Sequence, residues 1–172
     1  MRQFGKFEKL PNFARILGKN KYSLNYYYSG NLEFANTGPY LTSSGFDKII
    51  GSDNHTWENT TQWGAYDDEL FAYQLDEAVN DAVPFFSIIM TSTNHEPFDA
   101  DVEEIYKGGT EADAYKNSVY YTDKCLYEYL KKAKEKSWYK NTLFIISADH
   151  AHSYPNNRKA NEIERHRIPL LF

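Results

Sequence analysis

The sequence feature that most constrains the fold is the stretch of residues 141–152, NTLFIISADHAH. Its first half is almost entirely apolar or β-branched, and Asp149 and His150 are the first charged or titratable residues after it. A short apolar run of this kind predicts a strand buried on both faces of an α/β sheet. Because ligands of such sheets bind beyond the carboxyl ends of the strands, we expect Asp149 and His150 to lie at a functional edge.

A carboxylate beside an imidazole is a pair of ligands that suits Zn²⁺ or Mn²⁺. The strand that precedes Asp149 and His150 therefore favours a site for one divalent metal ion. An alternative stays open, in which Asp149 only caps the next helix and His150 lies on the surface. His152, two residues further on, is either a further ligand, a group that orients the ligands, or an ordinary loop histidine.

A second apolar strand is predicted over residues 85–90, and it is also followed by polar residues, the run TSTNH. His95 ends this run, at a position that matches Asp149 and His150 on the other strand. It is therefore the second candidate for the site. A structural or merely exposed loop histidine is the alternative.

The rest of the chain alternates between strand and helix patterns. This alternation predicts right-handed βαβ crossovers and an α/β fold, with a mainly parallel sheet sandwiched by helices. We expect residues 1–172 to form a single domain. Helices are predicted over residues 10–19, 34–44, 67–80 and 115–133, and strands over residues 22–28, 46–50, 85–90, 142–147 and 168–172.

Composition argues against several kinds of protein. The chain has 19 basic and 24 acidic residues and a net charge of −5, so it lacks the basic footprint of a nucleic-acid-binding domain. It has no apolar run of about 18 residues, so we expect any membrane anchor to lie outside this segment. The single Cys125 cannot form an internal disulfide, and a small core residue is favoured over a reactive thiol. Because the last residues resemble a strand just beginning, we expect the chain to be a fragment.

The following blocks occur in order along the chain: LPNFARILGKNKYS, YYYSGNLEFAN, SGFDKII, WGAYDDELF, FFSIIMTSTNHEPF, the long unit that ends in FIISADH, and HRIPLLF. Together they resemble the sulfatase-like branch of the alkaline phosphatase superfamily, especially lipoteichoic acid synthases and related phosphoglycerol or phosphoethanolamine transferases. The resemblance implies an alkaline-phosphatase-like fold, of which this chain would be the carboxyl-terminal part of the catalytic domain.

The resemblance also implies roles for individual residues. Asp149 and His150 would ligate one divalent metal ion, Mn²⁺, Zn²⁺ or Mg²⁺. His95 would contact the transferred phosphoryl group or the leaving-group oxygen, and Asn36 would belong to the substrate-binding loop.

The nucleophile of this family, a Thr, precedes the equivalent of residue 10, so the 172-residue segment is expected to be inactive alone. Ser29, Ala35 and Thr37 replace a His, a Trp and an Arg that hold phosphoglycerol in lipoteichoic acid synthases. The implied substrate is a lipid- or glycan-linked phosphate or sulfate ester at the outer face of a bacterial cytoplasmic membrane. Two alternatives remain, a sulfatase with a formylglycine upstream of this segment and a degenerate binding domain without catalytic activity.

Overall fold

The computed structural model describes residues 11–78 and 83–172. Its helices are α1 (Phe13–Lys19), α2 (Thr37–Ser44), α3 (Asp67–Glu77) and α4 (Glu111–Ala133). Its strands are β1 (Ser23–Tyr28), β2 (Lys48–Ile50), β3 (Phe85–Met90), β4 (Ile146–Ser147) and β5 (Leu170–Leu171). Short 3-10 turns cover Phe34–Asn36, Ser137–Asn141 and Ile163–His166.

The central unit is a three-stranded parallel sheet in the order β2-β1-β3. β1 lies in the middle, and helices cover both of its faces. Tyr26 and Tyr28 pack with Leu41 of α2 on one face, whereas Tyr27 packs with Leu70 of α3 on the other. The predicted α/β class, with a parallel sheet between helices, is confirmed.

α3 and α4 pack against each other beside the sheet. Phe71 and Leu75 of α3 meet Cys125 and Tyr129 of α4 in one apolar cluster. The hydroxyl of Tyr129 donates a hydrogen bond of 2.7 Å to the side-chain oxygen of Gln74, so this interface also satisfies its buried polar groups. Cys125 is buried, as predicted for a small core residue, and burial raises the pKa of its thiol to about 11.

The strand predicted over residues 142–147 differs most from expectation. Regular pairing is confined to β4, which pairs with β5 antiparallel and belongs to a separate two-stranded sheet. Phe144 packs against Trp138, but Leu143 and Ile145 are 71% and 64% exposed. The prediction of a strand buried on both faces is therefore wrong. Apolar composition cannot reveal whether a second layer covers a strand, since that depends on distant parts of the chain.

Local interactions explain most shifts in the element boundaries. α1 begins at Phe13 because the Asn12 side chain accepts a hydrogen bond of 2.8 Å from the Arg15 amide and so caps the helix. The helix predicted over residues 34–44 is interrupted because Ala35 and Asn36 have φ angles of 52° and 60°.

The edge strand β2 is shorter than predicted. β2 starts only at Lys48, since the Asp47 carboxylate accepts the hydrogen bond of the Leu24 amide. Residue 10 and residues 79–80 of two predicted helices lie outside the described residues. In the part of the chain that the structure describes, no helix combines the length and the apolar character needed to cross a membrane.

Candidate active site

Loops from several strands meet at the carboxyl edge of the parallel sheet. The hydroxyls of Ser29, after β1, and Ser92, after β3, are 2.5 Å apart. The loop after β2 joins them, because the Ala65 amide donates to the Ser29 carbonyl at 3.0 Å. The loop after β4 arrives through His152, whose Nε2 is 2.8 Å from the carboxylate of Glu96. The loops that follow β1, β2, β3 and β4 therefore meet in one region.

His95 is exposed at this edge and lies against the indole of Trp63, with ring centroids 3.9 Å apart. Its Nδ1 is 2.8 Å from the carbonyl oxygen of Glu96. Because a carbonyl oxygen can only accept, Nδ1 carries the proton of the neutral ring. Nε2 then keeps its lone pair on the opposite side of the imidazole, where it is suited to exchange a proton with a bound substrate.

Asp149 and His150 follow β4 on an exposed turn. Oδ1 of Asp149 accepts a hydrogen bond of 2.8 Å from the His150 amide. Nδ1 of His150 is 3.1 Å from the carbonyl oxygen of Ala151, so this ring also carries its proton on Nδ1. Oδ2 of Asp149 and Nε2 of His150 lie 3.6 Å apart. Each of these two atoms has a lone pair available.

This geometry fits one divalent metal ion. Two ligand atoms at about 2.1 Å from an ion are roughly 3.0–3.6 Å apart when they subtend about 90–120°. The separation of 3.6 Å between Oδ2 of Asp149 and Nε2 of His150 falls at the upper end of that range. Within residues 11–78 and 83–172, no cluster of three or more His, Cys, Asp or Glu side chains is arranged to hold a metal. Asp149 and His150 therefore offer a pair of ligands, and their role stays a prediction.

The charge of Asp149 also acts on the end of β1. Burial raises the pKa of Tyr28, and the Asp149 carboxylate raises it further. Burial, the neighbouring Tyr28 and Asp149 together raise the pKa of Tyr26 to about 12. Asp149 thus lies within electrostatic range of the central strand, although β4 is not hydrogen-bonded to the parallel sheet.

His152 has contacts on several sides of its ring. Its ring stacks against Tyr115 and Tyr154, with centroids 5.2 and 5.1 Å apart, and Phe98 packs edge-on at 5.7 Å. The Glu96 carboxylate contacts its Nε2 at 2.8 Å. His152 therefore links the loop after β4 to the loop that carries His95.

Asp67 is a site residue that sequence reasoning missed. It is the first residue of α3, where acidic side chains are common for electrostatic reasons, yet its side chain is fully buried. Its carboxylate accepts hydrogen bonds from both the amide and the hydroxyl of Thr93, from the amide of Ser92 and from the hydroxyl of Thr122. Burial raises the pKa of Asp67, while these hydrogen bonds act in the opposite direction. No local pattern in the sequence marks this network.

Asn36 follows β1 as the last residue of a 3-10 turn and the N-cap of α2, and it is half-buried. Phe34 of the same loop packs edge-on against Trp63, with ring centroids 5.5 Å apart. Since Trp63 in turn contacts His95, this loop borders the same edge of the sheet. The role of Asn36 in substrate binding stays a prediction.

The sulfatase family model matches residues 3–172, nearly the entire chain. The chain belongs to the sulfatase family. Its relatives include lipoteichoic acid synthase 1 of Bacillus subtilis strain 168, which is 26% identical over 185 residues covering 96% of this chain and 29% of that protein.

Solved structures agree with this family assignment. A protein of the alkaline phosphatase superfamily from Vibrio parahaemolyticus matches 95% of this chain and 43% of its own, with a TM-score of 0.78 and 27% identity. The lipoteichoic acid synthase LtaP from Listeria monocytogenes matches 99% of this chain and 48% of its own, with a TM-score of 0.83 and 23% identity. This sulfatase-family chain thus spans less than half the length of these relatives, and it shares their fold over almost all of its own.

Proposed function

We propose that the protein containing this chain is a metal-dependent phosphotransferase of the lipoteichoic acid synthase type. Its substrate would be a lipid- or glycan-linked phosphodiester of the bacterial cell envelope, with a phosphoglycerol or phosphoethanolamine head group. The observation that carries the proposal is the meeting of the His95 loop with the loop of Asp149 and His150 at one edge of the sheet. The name of the Bacillus relative supports this class of chemistry.

In this proposal, Asp149 and His150 hold the metal ion through Oδ2 and Nε2. When bound, such an ion acts as a Lewis acid towards phosphoryl oxygens and lowers the pKa of a coordinated hydroxyl. The attacking hydroxyl would belong to a Thr outside this chain, as the family resemblance implies. The carboxylate of Asp149 and the neutral ring of His150 are the protonation states that ligation requires.

His95 would act on the leaving group. Its Nδ1–H is engaged with the Glu96 carbonyl, so Nε2 is the atom that would face the substrate. When protonated, Nε2 would donate its proton to the oxygen of the departing alcohol as the bond to phosphorus breaks. In the second step, Nε2 would take a proton from the acceptor hydroxyl, which restores the ring for another cycle.

The loop after β1 would contribute to recognition of the substrate's head group. By the family resemblance, Ser29, Ala35 and Thr37 stand where lipoteichoic acid synthases carry a His, a Trp and an Arg, so the recognition of glycerol would differ here. Phe34 and Trp63 instead present an aromatic pair beside His95. We therefore propose that this aromatic pair, rather than that His, Trp and Arg, borders the head group. An anchor outside this segment would keep the enzyme at the outer face of the membrane.

The test uses the complete protein with fluorescent phosphatidylglycerol, phosphatidylethanolamine and an aryl sulfate, each with Mn²⁺, Zn²⁺ or Mg²⁺. Metal-dependent release of the lipid alcohol from either phospholipid is the expected result. Cleavage of the aryl sulfate alone would identify a sulfatase and overturn the proposal. A protein that turns over none of the substrates and binds no metal would be the non-catalytic binding domain.

A further inference from the structure

The aromatic contact between Trp63 and His95 is one part of a larger arrangement. The two ring planes are inclined by 34° with centroids 3.9 Å apart, close enough for their faces to restrict each other. On its other side, Trp63 meets Phe34 nearly perpendicularly at 5.5 Å. The indole is thus held between the loop after β1 and the loop that carries His95.

Trp63 and His95 also share one hydrogen-bond acceptor. The indole Nε1 donates to the carbonyl oxygen of Glu96 at 2.6 Å, and Nδ1 of His95 lies 2.8 Å from the same oxygen. A carbonyl oxygen has two lone pairs, so it can accept both hydrogen bonds at once. The indole N–H therefore fixes the orientation of the carbonyl that in turn selects the Nδ1–H form of His95.

Trp63 itself is anchored to the end of β1 by a tight turn. Its amide donates to the Thr61 hydroxyl at 3.1 Å, and the Thr61 amide donates to the Gly64 carbonyl at 2.8 Å. Gly64 has a φ of 152°, and a Cβ there would lie 2.3 Å from the Ser29 carbonyl oxygen, so only glycine lets the turn approach so closely. The position of the indole is consequently set by the parallel sheet.

We propose that Trp63 is a positioning residue for His95, which sets the plane of the imidazole by stacking and its tautomer through the Glu96 carbonyl. Nε2 is thereby kept as the atom that meets the substrate. The catalytic role of His95 in this inference rests on the proposed function. The tautomer and the ring orientation do not, because they are properties of the protein without substrate.

The decisive experiment measures the tautomer of His95 in the complete protein, labelled with ¹⁵N-histidine and without substrate. The His95→Ala variant identifies the signal. We expect the Nδ1–H form in the wild type and a shift towards Nε2–H in Trp63→Phe, which keeps an aromatic ring but has no N–H. Trp63→Leu, which lacks both contacts, should shift it further.

Trp138→Phe is the matched control. It also removes an indole N–H that donates to a backbone carbonyl, that of Ala78 at 2.7 Å, but Trp138 lies in the cluster between α3 and α4. This variant should leave the His95 tautomer unchanged even where it lowers the melting temperature. If Trp63→Leu does not fold, the comparison of Trp63→Phe with Trp138→Phe carries the test.

Turnover gives a second readout that separates positioning from general stability. A misplaced catalytic group typically reduces the rate by about 100-fold, so Trp63→Leu should lower kcat by roughly that factor with little change in KM. An Nε2–H tautomer in the wild type, or variants of Trp63 that leave the tautomer as it was, would overturn the inference. A complete protein that transfers no phospholipid head group would overturn the proposed function alone, since the tautomer measurement would still decide the role of Trp63.

Discussion

The residues after β3 and those after β4 form two ends of one candidate site, and they are held in opposite ways. After β3, Thr93 is buried and is bound through its amide and its hydroxyl to the fully buried Asp67. After β4, the side chains of Asp149 and His150 are 64% and 67% exposed. Their hydrogen bonds involve neighbouring backbone groups, the amide of His150 and the carbonyl of Ala151.

This difference shows that the two ends depend on different sources of order. The end of β3 is fixed by buried hydrogen bonds before any ligand is present, which suits a group that must meet a reacting atom at a set distance. The end of β4 presents two ligand atoms with lone pairs, and a bound metal ion would supply its rigidity. Changes to the buried contacts of Asp67 and Thr93 should therefore reduce stability, and changes to Asp149 or His150 should reduce activity.

The largest effect is expected for His150→Ala. Loss of a metal ligand should lower turnover by the complete protein by at least about 10³-fold, because the ion stabilises developing charge by several kcal/mol. The melting temperature should hardly change, since an exposed side chain contributes little to folding. Phospholipid turnover in saturating Mn²⁺ and again in Zn²⁺ is the measurement. His166→Ala is the matched control at another exposed histidine, and near-normal turnover by the folded His150 variant in both metals would contradict the metal site.

The next largest effect is expected at the end of β3, in the hydrogen bonds of Asp67. Asp67→Asn replaces one carboxylate oxygen by an N–H₂ group that faces buried donors, so the free energy of unfolding should fall by about 3 kcal/mol. Urea denaturation measures this change. Asp76→Asn, at an exposed position of the same helix α3, makes the same chemical substitution and should shift stability by less than about 0.5 kcal/mol. Equal effects at both positions would show that the Asp67 network does not organise the end of β3.

A third prediction concerns the buried thiol between α3 and α4. Burial raises the pKa of Cys125 from 9.0 to about 11, which leaves less thiolate at any given pH below that value. At pH 8, alkylation should be roughly 100-fold slower than for an ordinary thiol, and its rate should rise about tenfold per pH unit up to the raised pKa. Mass spectrometry after timed iodoacetamide treatment gives the rate. Cys125→Ala should leave turnover unchanged and lower stability by about 1 kcal/mol.

The smallest effect is expected where the two ends touch. The contact between Glu96 and His152 is partly exposed, so its coupling energy should be below about 1 kcal/mol. A double-mutant cycle with Glu96→Gln and His152→Ala, followed by urea denaturation, measures it. The partly exposed pair Lys131 and Glu128 of α4, 3.5 Å apart, provides a matched cycle away from the site. A coupling of several kcal/mol at Glu96 and His152 would mean that the end of β4 is as tightly held as the end of β3.

The sequence by itself determined the elements whose signals are local. β3 has the predicted bounds, β1 differs by one residue, and α4 covers the whole of the helix predicted over residues 115–133. The spacing of apolar residues and the local composition suffice to predict these elements, because neighbouring residues determine their secondary structure. The same local logic placed His95, Asp149 and His150 after strands, and the family resemblance followed from the order of the blocks. Their catalytic and metal-binding roles stay predictions.

Only the tertiary structure decided how these pieces are held. Asp67 meets Thr93 across 26 positions and Thr122 across 55, and His152 meets Glu96 across 56. Trp63 reaches the Glu96 carbonyl across 33 positions. The burial of Asp67 and the exposure of Leu143 and Ile145 before β4 depend on which distant segments pack there. The local composition does not indicate that packing. Long-range contacts therefore set the environment of each candidate group, while local patterns set only its position along the chain.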